Sequence, residues 1–385
     1  MRAPGGRARQ FAFLFLLPLA CPLAACGGDE DKGEGPGALR IEPKLILGEL
    51  EGPSSHVFSA VSGLHVDATG RMYVLDRHTS QLRIFTPGGE LVRVVGSEGE
   101  GPGEYSAANG ILPLSHDSLL VIDQRGNRYS ILGPDGDFSR SVLRELPFFG
   151  WLFRGAVRDG RIYELFAVDS GSVRLPAIMG TDLYDAGAPV DTILLPIAAG
   201  PTIPSYEVTS GRSGMYIGVP FAPRAVYQLD GADGVWFGHG SEFRLIHATM
   251  AGDTLMVIAP DAVAAPVTQA ELANWRAQEF VQEFVDRGGD LDMSRIPPTK
   301  PFFDDLTLDP DGNLWVSTPA GPMEAAFAVF DSDGRLLGRL RMEGFERSEG
   351  FSPVVRDDRL YVVGKDDLDV ERIYVFVIEE TLLPG

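Results

Sequence analysis

The residues best suited to chemistry fall into two groups, oxygen donors and cations. Glu104, Asn109, Asp304 and Asp305 carry side-chain oxygens at or just before stretches that read as short apolar strands. A hard divalent ion such as calcium takes about six to eight oxygens, so these four would need several waters to complete a shell. A hydrolase or lyase built on such a calcium site is the alternative reading; the preferred one is non-enzymatic and needs no cofactor. The cations are Arg224 in PFAPRAV, Lys300 in PPTKPF and Arg154, each near the start of an apolar strand. With Trp151 and Tyr105 as aromatic walls, cations converging on one mouth would hold a carboxylate or sulfate through charge-assisted bonds.

Other chemistries lack their residues. The six histidines, His56, His65, His78, His116, His239 and His247, form no HExxH or other compact metal pattern. There is no G-x-S-x-G elbow and no Gly-Lys-Ser/Thr phosphate loop; GEGPGE has glycines but no lysine. The two cysteines, Cys21 and Cys26, both lie at the N-terminus, which leaves the rest without a thiol nucleophile, disulfide or zinc-thiolate site. With 33 basic against 54 acidic residues, net −21, the chain repels phosphate backbones, so no nucleic-acid partner is expected.

The elements that must position these residues are repeats. From Ala38 onward, short apolar or alternating runs are separated by Asp-Gly, Pro-Gly and Pro-Asp-Gly turns, the pattern of antiparallel strands. Asp76, Ile84, Pro87 and Gly89 fall on Asp123, Ile131, Pro134 and Gly136, all at one spacing of 47. Further copies place Phe330 and Gly334 on Phe85 and Gly89, and Leu229 and Trp236 on Leu308 and Trp315. A four-stranded unit of this length is a propeller blade. Six units follow one another, at roughly 58–95, 110–146, 151–196, 222–259, 302–340 and 351–378. The last has only three convincing strands, so residues 39–50 are expected to supply the fourth and close the ring. The fold class is all-β, a six-bladed β-propeller spanning 38–385. The carboxylates that recur, Asp76, Asp123, Asp67 and Asp309, read as turn acceptors rather than catalysts.

One segment breaks the rhythm. Residues 268–287 open with a Thr-x-x-Glu capping box (Thr268, Glu271) and stop at Gly288, which predicts one inserted helix. Ala273, Ala277, Phe280 and Phe284 are expected on its packing face, with Trp275 pointing away from it.

The N-terminus sets the location. Arg2, Arg7 and Arg9 precede an apolar run too short to span a bilayer, as in an export signal covering 1–25. Its end, Leu23-Ala24-Ala25-Cys26-Gly27, resembles the lipobox of bacterial lipoproteins, which implies acylation of Cys26. Residues 26–37 then read as the acylated cysteine and a disordered tether of glycine and acid. The protein is expected outside the cytoplasm, a monomer held to the outer membrane by lipid, facing the periplasm or the cell surface. GSEGEGPGEY (from Gly96), Tyr73-Val74-Leu75-Asp76 and Val121-Ile122-Asp123 resemble the link and second strand of NHL-type repeats. The resemblance, to bacterial six-bladed propeller lipoproteins, implies a fold and a location but no mechanism. The expected partner is therefore an unidentified small ligand or protein at the channel mouth.

Overall fold

The computed structural model describes residues 38–144, 155–170, 173–183, 189–194, 204–210, 213–230, 234–348 and 350–378. Strands β1 (Ala38–Arg40) and β2 (Pro43–Leu47) come first. Blade 1 is β3 (Val61–Val66), β4 (Met72–Asp76), β5 (Gln81–Phe85) and β6 (Leu91–Val95). Blade 2 is β7 (Ala108–Pro113), β8 (Leu119–Asp123), β9 (Arg128–Leu132) and β10 (Phe138–Leu143). Blade 3 is β11 (Gly155–Arg158), β12 (Arg161–Ser170), β13 (Val173–Asp182) and β14 (Pro189–Leu194). A separate hairpin follows, β15 (Ser205–Ser210) with β16 (Ser213–Gly218). Blade 4 is β17 (Ala225–Leu229), β18 (Gly234–His239), β19 (Leu245–Thr249) and β20 (Thr254–Ile258). Helices α1 (Gln269–Ala277) and α2 (Glu279–Asp286) separate it from blade 5, which is β21 (Asp305–Leu308), β22 (Leu314–Thr318), β23 (Glu324–Phe330) and β24 (Leu336–Glu343). Blade 6 has β25 (Glu346–Arg347) and β26 (Val354–Arg356) sharing the place beside β27 (Arg359–Lys365), then β28 (Glu371–Val377). These make a six-bladed β-propeller.

Blades 1 to 5 are antiparallel meanders whose four strands follow the order of the chain, and blade 6 takes its outermost strand from β2. First strands of neighbouring blades lie together, β3 beside β7, β7 beside β11, β17 beside β21 and β26 beside β3, as expected of strands around a central axis. Second strands are sandwiched between adjacent blades and need apolar residues on both faces. Met72 to Asp76 and Leu119 to Asp123 are accordingly buried without interruption. The turns repeat too. The loop joining third and fourth strands rests on the outermost strand of the preceding blade: at Gly89 (φ +89°) a Cβ would meet Leu45 at 3.2 Å, and at Gly136 (φ +80°) it would meet Val95 at 3.0 Å. Only glycine combines that left-handed backbone with so close an approach.

The ring closes as expected, with one difference. β2 pairs antiparallel with β28, Leu47 opposite Ile373, and supplies the missing strand of blade 6. The segment 39–50 is not one strand, however. β1 pairs in parallel with β24 at the edge of blade 5, Ala38 opposite Arg339, before the chain crosses to blade 6. An Arg40–Glu343 ion pair at 2.9 Å and the Ile41 amide on the Arg341 carbonyl hold that crossing.

The helix expectation needs correction. Thr268 and Glu271 do form the capping box, and Gly288 (φ +87°) does end the helical run. At Gln278, however, ψ is 139°, an extended residue that divides the segment into α1 and α2. The break resets the helical phase, so residues on its two sides cannot share one stripe. Trp275 is buried and Phe280 is 46 % exposed, the reverse of the expected arrangement. Trp275, Val281 and Phe284 pack against Tyr206, Ile217 and Val219 of the β15–β16 hairpin segment. The two insertions thus share one small core. Both interrupt links that run from an outermost strand to the next innermost strand, so both stand on the same face of the ring.

Candidate functional site

The proposed metal donors do not converge. The Glu104 carboxylate accepts the Gly101 amide at 2.8 Å and closes the GPGE turn on itself. Asn109 is fully buried at the start of β7. Both oxygens of Asp304 accept from the Arg347 guanidinium at 2.7 Å, and Asp305, 1 % exposed, accepts the Leu306 amide. Among the described residues no three His, Cys, Asp or Glu side chains stand close enough to hold an ion.

The two cations on described residues lie on adjoining segments and differ in their partners. The start of β17 and the segment before β21 are sewn through Gly240: its amide donates to the Arg224 carbonyl, and the Phe302 amide donates to the Gly240 carbonyl, at 3.0 and 2.8 Å. Arg224 and Lys300 therefore lie on segments joined through Gly240, Lys300 two residues before the bonded Phe302. Their charged heads have different fates. The Lys300 ammonium donates to Glu271 of α1 at 2.5 Å and to the Ala320 carbonyl at 3.0 Å. Burial alone would raise the Glu271 pKa, but the bonds from Lys300 and Thr268 outweigh it and hold the carboxyl below its ordinary range. Lys300 is a strut between ring and insertion. The Arg224 guanidinium, half-buried, has no hydrogen-bond or ion-pair partner among the described residues. Tyr105 is 1 % exposed in the core between blades 1 and 2, with burial pushing its hydroxyl up to about 12. It is not a wall of the mouth. Trp151, Arg154 and Cys26 lie outside the described residues.

The recurring aspartates do what turn acceptors do. Asp76 receives the amides of Ser59, His78 and Thr79, and Asp123 those of Ser106, Ala107 and Gly126. Each ties the approach to its own blade to the turn after its second strand, beside a cation, Arg83 at 3.6 Å or Arg128 at 3.3 Å. Asp67 and Asp309 organise the turns after β3 and β21 and accept from the Tyr73 hydroxyl and the Trp315 indole, both at 3.0 Å. Two further groups carry no repeat signal. Glu164 accepts from Tyr129 at 2.5 Å and from Arg144 at 2.7 Å in a buried cluster joining blades 2 and 3. His247 bonds Asp230 at 2.7 Å while stacking on Trp236 at 4.5 Å. Their partners come from different strands or blades, so no local spacing reveals them.

Comparison with known proteins follows the architecture. The profile of the six-bladed β-propeller family DUF5128 matches residues 49–131, the last closing link and most of blades 1 and 2. No curated protein sequence matches the chain. Among solved structures, a member of the DUF4221 family from Bacteroides vulgatus superposes with a TM-score of 0.54 at 12 % identity, covering 88 % of this chain and 97 % of that one. A protein of Bacteroides fragilis designated as exported gives 0.47 at 12 %, covering 89 % and 99 %. The calcium-binding regucalcin of Agrobacterium tumefaciens gives 0.43 at 12 %, covering 89 % and 96 %. At such identities the likeness is one of fold.

Proposed function

We propose that the chain is an extracytoplasmic lipoprotein of NHL-like type, acylated on Cys26, whose propeller binds a ligand or protein partner and catalyses no reaction. One observation carries the non-catalytic part. Asp76, Asp123, Glu164, Glu271 and Asp304 all have both oxygens bonded within the protein. A general base or metal ligand needs an oxygen to spare; Glu371 keeps one, but no three His, Cys, Asp or Glu side chains among the described residues stand together to hold an ion. Binding is supported by the face that carries both insertions, where the Arg224 guanidinium has no partner among the described residues; a rigid ring presenting loops suits recognition. The lipobox and the acidic tether support the anchor.

Two measurements on the full chain test this reading. Wild type should incorporate labelled fatty acid and partition into detergent, and Cys26→Ser should do neither; an unlabelled wild type refutes the anchor. Thermal-shift screening with anionic metabolites should find a stabilising ligand whose effect Arg224→Ala abolishes at unchanged intrinsic stability. Stoichiometric calcium in the purified protein, removable only with loss of a hydrolytic activity, would replace this reading with the catalytic one.

A further inference from the structure

Where the last blade meets the first, a half-open cavity of about 450 Å³ lies between the link 48–60 and the turn joining β27 to β28. By its place in the topology it opens on the face that carries the insertions. Phe58, 6 % exposed, contributes a buried ring, while Leu50 and Leu368 are 56 % and 62 % exposed. Its charged groups are Glu49, Lys365, Asp369 and Glu371, and Lys365 is already paired with Asp369 at 2.8 Å. Two carboxylates are left in excess.

Glu371 differs from the committed acids of this face. Its Oε2 accepts the Val61 amide at 2.6 Å across the seam, which fixes the carboxyl in place. Its Oε1 has no partner among the described residues, and the group is half-buried. Burial holds its pKa above the ordinary range, the Val61 bond and Lys365 pulling it only partly back. A cation against Oε1 would return the stabilisation that lost solvent no longer gives. Apolar side chains left open beside a fixed polar group are the usual composition of a ligand site.

We propose that this seam cavity binds a ligand with a primary ammonium or guanidinium on an apolar body, the cation on Glu371 Oε1 and the body against Phe58, Leu50 and Leu368. An anion would meet the excess carboxylates. The inference rests on the reading of the propeller as a binding module and is independent of the anchor.

The test uses the full chain in detergent with two probes, phenethylammonium and its neutral analogue phenethyl alcohol, by titration calorimetry and thermal shift. The ammonium should bind saturably, and the alcohol about tenfold more weakly or worse, the worth of one charge-assisted bond. Glu371→Gln keeps the shape and an acceptor for Val61, so it should weaken the ammonium about tenfold while leaving the alcohol unchanged. Leu368→Ser, at an exposed side chain, should weaken both probes and carries the test if Glu371→Gln melts early. No saturable binding, equal binding of the two probes, or undiminished ammonium binding in Glu371→Gln overturns the proposal. An anion shift that still depends on Arg224 while the ammonium fails would sink the seam site and leave the binding function standing.

Discussion

Replacing Lys300 with Met asks whether charge fastens the inserted module to the ring. The ammonium sits 2.5 Å from Glu271, with side-chain exposures of 12 % and 8 %, and methionine preserves most of the apolar stem. Breaking a buried pair by removing one partner costs about 3–5 kcal/mol. Here Glu271 keeps two bonds from Thr268, each at 2.8 Å, so the expected cost is about 2–3 kcal/mol. The loss falls on the contact between α1 and the ring, and local opening should register it before global melting does. Amide exchange in 205–218 and 269–286 should therefore speed up by about 30- to 150-fold at neutral pH, since 1.36 kcal/mol is tenfold. The sign of the pH dependence follows from Glu271. Its folded pKa is lowered, so its contribution is present above the unfolded value of about 4.3 and is lost as pH falls through the folded one. The gap between wild type and variant should narrow below about pH 4. Unchanged exchange in the module, or a gap that persists undiminished in acid, would refute the strut. So would additive effects of Lys300→Met and Glu271→Gln in a double-mutant cycle.

Two further outcomes follow from the fold. Deleting 38–47 removes β1 and β2, exposes the β28 edge and strips Leu47 from its core cluster; the melting temperature should fall sharply, and a change of only a few degrees would mean that closure lies elsewhere. Trp275→Ala should cost about 3–5 kcal/mol, because the ring is 8 % exposed and lies 6.2 Å from Tyr206; the loss should appear as faster exchange in the hairpin and helices, with blades 1 and 2 unaffected.

The ring was legible in the sequence because its information is periodic. Asp76 and Asp123, Gly89 and Gly136, and the Asp-to-Gly turns at Asp67 and Asp309 repeat at fixed spacing because each blade solves the same problem of turn and packing. What escaped depends on a single event. The extended backbone at Gln278 has no strong breaker such as proline, and it reversed the burial of Trp275 and Phe280. Glu271 was legible as a helix cap, yet its second role as the partner of Lys300 required knowing that α1 stands over the approach to blade 5. The division of 39–50 between two blades was hidden for the same reason, since parallel pairing of β1 with β24 leaves no mark in a three-residue strand.

The division of labour between ring and insertions also explains where function should be sought. In blades 1 and 2 a carboxylate is a structural part: it gathers the amides of a link and a turn and lies within ion-pair distance of an arginine, and altering it to do chemistry would leave those buried amides unsatisfied. A hairpin and two helices added between blades escape that constraint, because their core is their own and their links already lie outside the sheet ladders. The Glu271–Lys300 bond then matters as the join between the repeated scaffold and a part outside its repeat. Arg224 is linked through Gly240 to the chain two residues beyond Lys300. A ligand held there would touch the ring and the module at once, and binding it would be coupled to how firmly the module is seated. Weakening the strut by Lys300→Met should accordingly lower affinity for any anion that depends on Arg224, although Lys300 itself makes no contact with it. If affinity is unchanged while exchange in the module rises, the ligand contacts the ring alone, and the module serves a separate partner.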